Sequence, residues 1–292
     1  MSDGDKQSQR LTTPEQLRER EYRRLKALAD ERNSQRGSLD KDYFNGTKVI
    51  YGDGIDCPKC LNRGFSMVVV YDGKRLPTLE YRWCDCSRQR VYARTLRESG
   101  LQKAVMRYRL DNFDAIEPWQ HVMFHKAKQY IEHGAGEGNW FYAGGQSGSG
   151  KTHICTAIAS ELMKIGTLRY IVWPQTAKTL CGISDDAVEY GIKLNEIQTS
   201  NFLYIDDFFK PVFRSNGMEA MATAPEVRLA YDIINYRYNK ELPTIISSEW
   251  FSSELCEIDE ATAGRIAEAC GEYKVDIARK PERNHRIRNE VI

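Results

Sequence analysis

The larger, C-terminal part of the chain alternates between short apolar runs and longer segments in which apolar residues recur every three or four positions. The short runs predict strands, at 139–143, 168–173, 202–205 and 244–248. The longer segments predict helices, at 118–133, 151–165 and 226–240. Such alternation is typical of a parallel sheet with helices on both faces. We therefore predict an α/β fold class for this part of the chain.

The N-terminal part has a different pattern. Residues 1 to about 12 are polar and without period, whereas 14–32 consist of strong helix formers with a thin apolar stripe. Such a helix either packs lightly on its own protein or binds a partner, and its sequence favours neither. Two runs rich in valine and aromatic residues, 65–71 and 78–83, flank an Asp-Gly turn and predict a β-hairpin. A further helix is predicted at 87–99.

The length of 292 residues predicts one domain of roughly 150 to 200 residues and a smaller module. The predicted boundaries are 1–50 for a flexible tip and charged helix, 51–100 for the hairpin module and linker helix, and 101–292 for the α/β domain. The sequence has no run of about 18 apolar residues and no apolar signal core. A soluble, cytoplasmic protein without membrane contact is therefore expected.

The formal net charge of +1 gives no reason to expect broad binding to nucleic acid, so any such contact must be local. One stretch, 82–109, does concentrate seven arginines and one lysine against two acids. It either touches phosphate backbones or forms a solvated linker whose arginines pair with acids elsewhere. Both readings stay open.

A glycine, four free positions and then Gly-Lys-Thr lie between a predicted strand and a predicted helix, which is the context in which this spacing indicates a P-loop. Glycines let backbone N–H groups turn toward the β-phosphate of ATP, and the helix start adds its positive dipole end. Lys151 is predicted to neutralise β and γ oxygens, and Thr152 to ligate Mg²⁺. The predicted phosphate-binding residues are Gly145, Gln146, Ser147, Gly148, Ser149, Gly150, Lys151 and Thr152.

Two carboxylates end the predicted strand at 202–205, about 50 residues after the P-loop. Asp206 is predicted to hold the Mg²⁺ shell, and Asp207 to orient the attacking water. The strand at 244–248 ends in serines, of which Ser248 is a candidate for sensing the γ-phosphate. These residues predict an ATPase that uses ATP and Mg²⁺.

Four of the eight cysteines form two tight pairs around the predicted hairpin, Cys57 with Cys60 and Cys84 with Cys86. The spacings, C-x2-C and C-x-C, predict a tetrahedral four-thiolate Zn²⁺ site with one pair at each end of the ribbon. Reduced or disulfide-bonded cysteines are the alternative. The role of the metal would be structural, because four thiolates leave no open position for catalysis.

The motifs together resemble the DnaC/DnaI-type helicase loaders, and in particular the branch encoded by phages and prophages of low-GC Gram-positive bacteria. The resemblance runs from about residue 56 to the C-terminus, and it rests on CPKC, LDNFD, WFYAGGQSGSGKTHICTAIA, LYIDDFFK, INYRYN, LPTIISSE, IDEATAGRIAE and NHRIR. It implies an AAA+ ATPase core that places a DnaB-type replicative helicase on single-stranded DNA in a bacterial host cell. It also implies self-association into a ring or spiral, and contact between the zinc-bearing part and the helicase.

The same resemblance assigns three arginines. Arg265 matches the finger that reaches the ATP of an adjacent subunit, and either Arg286 or Arg288 matches the sensor-two arginine. Asp207 stands where broader AAA+ proteins carry glutamate, so we expect weak hydrolysis outside an assembly. Only a short basic tail follows Ile277, so no C-terminal lid is expected.

Two other functions compete with the loader. An IstB-like transposition helper shares the P-loop and the aspartate pair, although the paired cysteines argue against it. A binding adaptor that holds ATP as a switch, with negligible turnover, belongs to a different class. A small-molecule kinase is disfavoured, because the sequence shows no arginine-bearing lid insertion to cover a phosphoryl acceptor.

Overall fold

The computed structural model describes residues 13–35, 42–44, 47–49, 57–210, 212–213, 219–220 and 222–286. Contacts between Cα atoms divide the chain into Met1–Arg90, called unit 1 below, and Val91–Ile292, called unit 2.

Unit 1 consists of a long helix and short antiparallel hairpins. Its elements are α1 (Pro14–Ser34), β1 (Asp42–Phe44), β2 (Thr47–Val49), β3 (Phe65–Val70), β4 (Thr78–Trp83) and the first part of α2 (Asp85–Ser99). Helix α1 begins at a capping box, in which Thr13 and Gln16 each accept the backbone N–H of the other. Strands β3 and β4 pair antiparallel along their whole length, which confirms the predicted hairpin. The Asn33 side chain ties α1 to β3, because it bonds both the N–H and the carbonyl of Met67.

The strands of unit 2 are, in chain order, β5 (Phe141–Gly145), β6 (Leu168–Val172), β7 (Phe202–Phe208), β8 (Val212–Phe213), β9 (Glu219–Ala220), β10 (Thr244–Ser248) and β11 (Lys274–Ile277). Five of them form a parallel sheet in the spatial order β11, β5, β10, β7, β6, and β8 pairs with β9. Parallel strands all end at one edge of the sheet, which is where open α/β sheets bind ligands. The ends of β5, β10 and β7 lie side by side at that edge.

Helices cover both faces of this sheet. They are α3 (Gln102–Arg107), α4 (Pro118–Glu132), α5 (Lys151–Leu162), α6 (Trp173–Gly182), α7 (Ala187–Thr199), α8 (Ala224–Asn239) and α9 (Glu260–Cys270). Residues from α3, α4 and α5 form one buried apolar cluster, which takes Phe141 and Ala143 from β5. Residues from α6 to α9 form the other, which takes Tyr142. The alternation along β5 follows the two-residue period of a strand, and the predicted α/β class is confirmed.

The structure departs from the sequence predictions at particular places. The strand predicted at 139–143 is shifted, because Gly144 and Gly145 continue the ladder by pairing with Asp276 and Ile277 of β11. Glycine is depleted in strands generally, so pattern alone ended this strand too early. The helix predicted at 151–165 ends at Leu162. Strand β11 and the pair α6 and α7 were not predicted.

Between β11 and Arg286 the described chain contains a single 3-10 turn, Pro281–Arg283, and no lid helix. Among the described helices, none is long and apolar enough to cross a membrane.

Candidate functional site

The loop between β5 and α5 has a backbone that only glycine adopts readily. Gly145, Gly148 and Gly150 have φ values of +97°, +72° and +90°. A Cβ at Gly145 would fall on the carbonyl oxygen of Ile277, and one at Gly148 on the side chain of Asn284. The spacing of glycines in the sequence is thus required both by backbone angle and by space.

Lys151 begins α5 and points back into this loop. Its ammonium donates to the carbonyl oxygens of Gly145 at 2.9 Å and Gln146 at 2.6 Å. The residue is 8% exposed, and burial lowers the pKa of Lys151 to about 8. An ammonium that donates to neutral carbonyls at a helix start fits an anionic ligand, because phosphate oxygens would supply the charge that these carbonyls lack.

Asp206, at the end of β7, accepts hydrogen bonds from several hydroxyl groups. Thr152 donates to its Oδ1 at 3.3 Å and Tyr204 to the same atom at 3.0 Å, while Tyr170 donates to Oδ2 at 3.2 Å. Ser247 also donates to Oδ1. Thr152 and Asp206 therefore bring two hard oxygen ligands together, which is the chemistry that Mg²⁺ requires. The sequence motifs did not indicate Tyr170, Tyr204 or Ser247 as partners of Asp206.

The two serines that end β10 have different partners. Ser248, the predicted phosphate sensor, donates its hydroxyl to the carbonyl of Phe208 at 2.7 Å and accepts the N–H of Trp250 at 3.1 Å. Ser247 instead lies against Asp206. The pairing register between β10 and β7 shifts between Ile246 and Ser248. Because of this shift, Ser247 and not Ser248 faces Asp206.

A cavity of about 560 Å³ opens beside the P-loop. It is lined by Arg107, Tyr108, Asn112, Phe113, Asp114, Gln120, Ser147, Gly148, Ser149, Gly150, Lys151, Thr152, His153, Asp207, Lys210, Glu249, His285 and Arg286. Of the predicted arginines, Arg286 is thus brought to the site. Arg265 is not among the lining residues, and Arg288 lies outside the described part of the chain.

Arg265 lies partly exposed on α9. Its guanidinium donates to the carbonyl of Ala261 at 2.8 Å and lies 5.1 Å from the ring centre of Tyr231 and 5.9 Å from that of Tyr238. Two aromatic rings thus hold the cation on the outer face of α8 and α9.

The four paired cysteines of unit 1 converge on one point. Their Sγ atoms all lie within 4.8 Å of one another, with 3.7 Å between Cys57 and Cys84 and 3.4 Å between Cys60 and Cys86. Zn–S bonds of about 2.3 Å would set the edges of a tetrahedron at about 3.8 Å. None of these cysteines forms a disulfide. The residues therefore fit a structural Zn²⁺ ion.

The turn that carries the first cysteine pair is prepared for a thiolate. The N–H of Gly64 points at Cys60 Sγ, 3.3 Å away. The backbone N–H of Cys60 is the main cause that lowers the pKa of the Cys57 thiol to about 7, whereas burial raises the pKa of Cys84 and Cys86. Cys57 thus ionises more readily than Cys84 and Cys86, and a bound metal ion would deprotonate those two thiols.

The sequence is 32% identical over 239 residues to the phage-like element PBSX protein XkdC of Bacillus subtilis (strain 168), a match that covers 80% of this chain and 86% of that protein. It is 27% identical over 205 residues to the replicative helicase loader DnaI of the same strain, covering 67% of this chain and 62% of DnaI. The chain belongs to the phage branch of the DnaC/DnaI-type loader family. No protein-family model matches the sequence.

A solved structure of the family shows the same fold. The crystal structure of the DnaC helicase loader matches with a TM-score of 0.51 and 19% identity, covering 61% of this chain and 99% of that one. At this identity the likeness concerns the fold alone. Unit 2 accordingly has the AAA+ P-loop ATPase fold, and the predicted resemblance to the DnaC/DnaI-type family is confirmed.

Proposed function

We propose that this chain is an ATP-dependent loader of a hexameric, DnaB-type replicative helicase onto single-stranded DNA. Membership in the DnaC/DnaI-type family is the observation that carries this proposal. The loop around Lys151, with Thr152 and Asp206 beside it, supports ATP as the source of energy.

The residues of unit 2 have complementary roles in the proposed ATP cycle. Lys151 exchanges its loop carbonyls for phosphate oxygens, and Arg286 adds positive charge to the lining of the cavity. Thr152 and Asp206 hold Mg²⁺, which neutralises charge on the phosphates. Asp207 orients the water that attacks the γ-phosphorus. The other predicted phosphate-sensing groups, Ser248 and Arg288, stay predictions.

Hydrolysis depends on assembly in this proposal. Arg265 is partly exposed, held by aromatic rings, and absent from the lining of the cavity of its own chain. A finger that acts on the ATP of the next subunit requires such a position, and fingers raise the rate by roughly 10³ to 10⁵. Subunits joined in a ring or spiral would then present the basic segment around 82–109 to single-stranded DNA. Unit 1, with Zn²⁺ held by its four thiolates, contacts the helicase.

A loading assay on circular single-stranded DNA tests the proposal, because circles have no end to thread. The protein is mixed with the replicative helicase of a candidate bacterial host and ATP, and the helicase hexamers retained on the circles are counted. Retention is expected with wild type and not with Lys151→Ala. Wild-type protein that neither binds the helicase nor increases its retention contradicts loading for that client. Binding to a transposase would then favour the transposition helper, and DNA-bound protein with near-zero phosphate release would favour the adaptor.

A further inference from the structure

The backbone at the end of β7 and in the turn that follows it is strained and firmly anchored. Asp207 and Phe209 have φ values of +56° and +49°, in the region that residues other than glycine rarely adopt. Phe208 and Phe209 are buried against Trp173, with ring centres 4.9 and 5.4 Å away. The indole N–H of Trp250 also donates to the carbonyl of Phe209 at 2.6 Å. Two buried aromatic residues and an indole thus fix a conformation that the backbone alone would not favour.

This conformation brings the two charged residues of the turn together. The backbone N–H of Lys210 donates to the carbonyl of Asp207 at 3.0 Å, and its ammonium lies 2.8 Å from Asp207 Oδ2. Both side chains line the nucleotide cavity together with Lys151. The carboxylate predicted to orient the attacking water therefore has the Lys210 ammonium as its partner.

That ion pair is one that a phosphate can break. The side chains of Lys210 and Asp207 are 39% and 32% exposed, and ion pairs this exposed contribute little to stability. A terminal phosphate carries nearly two negative charges and three strong acceptor oxygens, against one charge and two oxygens for a carboxylate. The γ-phosphate of ATP would thus compete successfully for Lys210, whereas ADP has no group at that position.

We propose that Lys210 is a γ-phosphate ligand that leaves Asp207 when ATP binds, and so frees Asp207 for catalysis only when there is a γ-phosphate to hydrolyse. This inference rests on the proposed nucleotide site. In the step that follows, the oxygen of water bonds to the γ-phosphorus and the bond from phosphorus to the bridging oxygen of ADP breaks. The proton of the water passes to Asp207 and then to solvent, and Lys210 returns to Asp207 after phosphate leaves.

Nucleotide binding to Lys210→Gln tests this assignment directly. We expect the affinity for a non-hydrolysable ATP analogue to fall about tenfold, which corresponds to one good charged contact. The affinity for ADP should change by less than about twofold, because Lys210 meets only the γ position. Lys210→Arg keeps the charge and should retain most of the preference for the ATP analogue. Calorimetric titration of the full-length, zinc-bound protein measures both affinities.

Lys193 provides a matched control on the same unit. Its ammonium lies 2.6 Å from Glu189, with side-chain exposures of 40% and 50%, but it does not line the nucleotide cavity. Lys193→Gln should leave both affinities unchanged. Equal losses for the ATP analogue and ADP in Lys210→Gln, or no loss for either, would overturn the assignment. So would faster hydrolysis with an unchanged ratio of affinities, because Lys210 would then only restrain Asp207.

The inference and the proposed function fail in distinguishable ways. If wild-type protein binds neither nucleotide, or if Lys151→Ala binds both normally, the nucleotide site itself is wrong. If wild type binds both and Lys151→Ala binds neither, the site stands, and the Lys210→Gln ratio alone decides the role of Lys210.

Discussion

The thiol cluster of unit 1 and the nucleotide site of unit 2 both gather reactive groups at turns, but they differ in how those groups are stabilised. Lys151 donates to two carbonyls of its own loop, and Asp206 accepts hydroxyl hydrogen bonds. The four cysteine sulfur atoms lie chiefly against one another, within 4.8 Å. The charged groups of the nucleotide site therefore have partners within the protein, whereas four thiolates held this close need a metal ion to offset their mutual repulsion.

The two units also differ in how many apolar side chains they bury. Unit 2 has two large buried clusters, one on each face of its sheet. Among the described residues of unit 1, the buried cluster consists of the paired cysteines themselves. A module that buries so little apolar surface needs another source of stability. We infer that unit 1 requires its metal ion to fold and that unit 2 folds without nucleotide.

Metal removal should give the largest effect. Cys60→Ser, or a strong chelator, is expected to unfold unit 1, because metal binding contributes about 10 kcal/mol in comparable four-ligand sites. Hydrogen exchange should show lost protection in β3 and β4 and unchanged protection in β5 and α5. Cys256→Ser is the control, since this exposed cysteine of unit 2 lies outside the cluster. Retained protection in β3 after both treatments would contradict the metal dependence.

The buried guanidinium of Arg237 should give the next largest effect, confined to unit 2. This residue of α8 is fully buried, and it donates to Thr244 Oγ1 at 2.8 Å and to the carbonyls of Ser200 at 2.8 Å and Pro243 at 2.7 Å. Arg237→Met leaves these acceptors unpaired, so we expect a loss of about 3 kcal/mol in the free energy of unfolding. Denaturant titration measures this loss in the free energy of unfolding.

The same helix supplies the control for Arg237. Arg228→Met changes an exposed arginine of α8 and should alter stability by less than about 0.5 kcal/mol. Zinc content should be the same in both variants, because unit 1 is stabilised separately. A loss of zinc in Arg237→Met would show that the two units do not fold independently.

Much of this architecture follows from local sequence signals. The P-loop, the apolar run before Asp206 and the paired cysteines were all recognisable, because spacing along the chain fixes how these groups meet at one loop, one strand end or one hairpin. The parallel sheet followed from the alternation of strand and helix. Strand β11 could not be predicted in this way, because four residues that alternate between polar and apolar give too weak a signal.

The environment of Asp206 shows what local signals omit. Tyr170 reaches it from β6 and Ser247 from β10, so both depend on the order of strands in the sheet. The choice of Ser247 over Ser248 depends further on the shifted register between β10 and β7. A bulge is a property of two paired strands, and no spacing within one strand reports it.

The pH dependence of stability tests the free-energy cost of burying the Lys151 ammonium. Burial lowers the pKa of Lys151 from 10.5 to about 8, so between these values the unfolded chain holds a proton that the folded one lacks. The free energy of unfolding should therefore rise with pH in this window, by about 2 kcal/mol from pH 8 to 9.5. Well below pH 8 the lysine is charged in both states, and the folded protein carries the full free-energy cost of burying the ammonium.

Comparison with Lys151→Met isolates the contribution of Lys151. In this variant the free energy of unfolding should not show the part of the increase with pH that comes from Lys151. ADP should also suppress it, because a bound phosphate keeps the ammonium charged. Denaturant titrations at several pH values give the difference. Parallel curves for wild type and Lys151→Met would mean that the loop carbonyls fully offset the burial of the charge.

The smallest expected effect concerns the hydroxyls that hold Asp206. Tyr204→Phe removes a donor 3.0 Å from Oδ1 while keeping the buried ring, so the carboxylate loses orientation and not packing. Groups that orient a metal ligand typically contribute about tenfold or more to metal affinity. We expect about tenfold more Mg²⁺ to be needed for half-maximal binding of the ATP analogue. Tyr130→Phe is the control, because its buried hydroxyl bonds to Asn139 at 3.1 Å, away from the acids. An equal Mg²⁺ requirement in both variants would mean that the strand alone orients Asp206. The hydroxyl groups around Asp206 would then contribute little to the nucleotide site, and the contrast with the thiol cluster would be weaker.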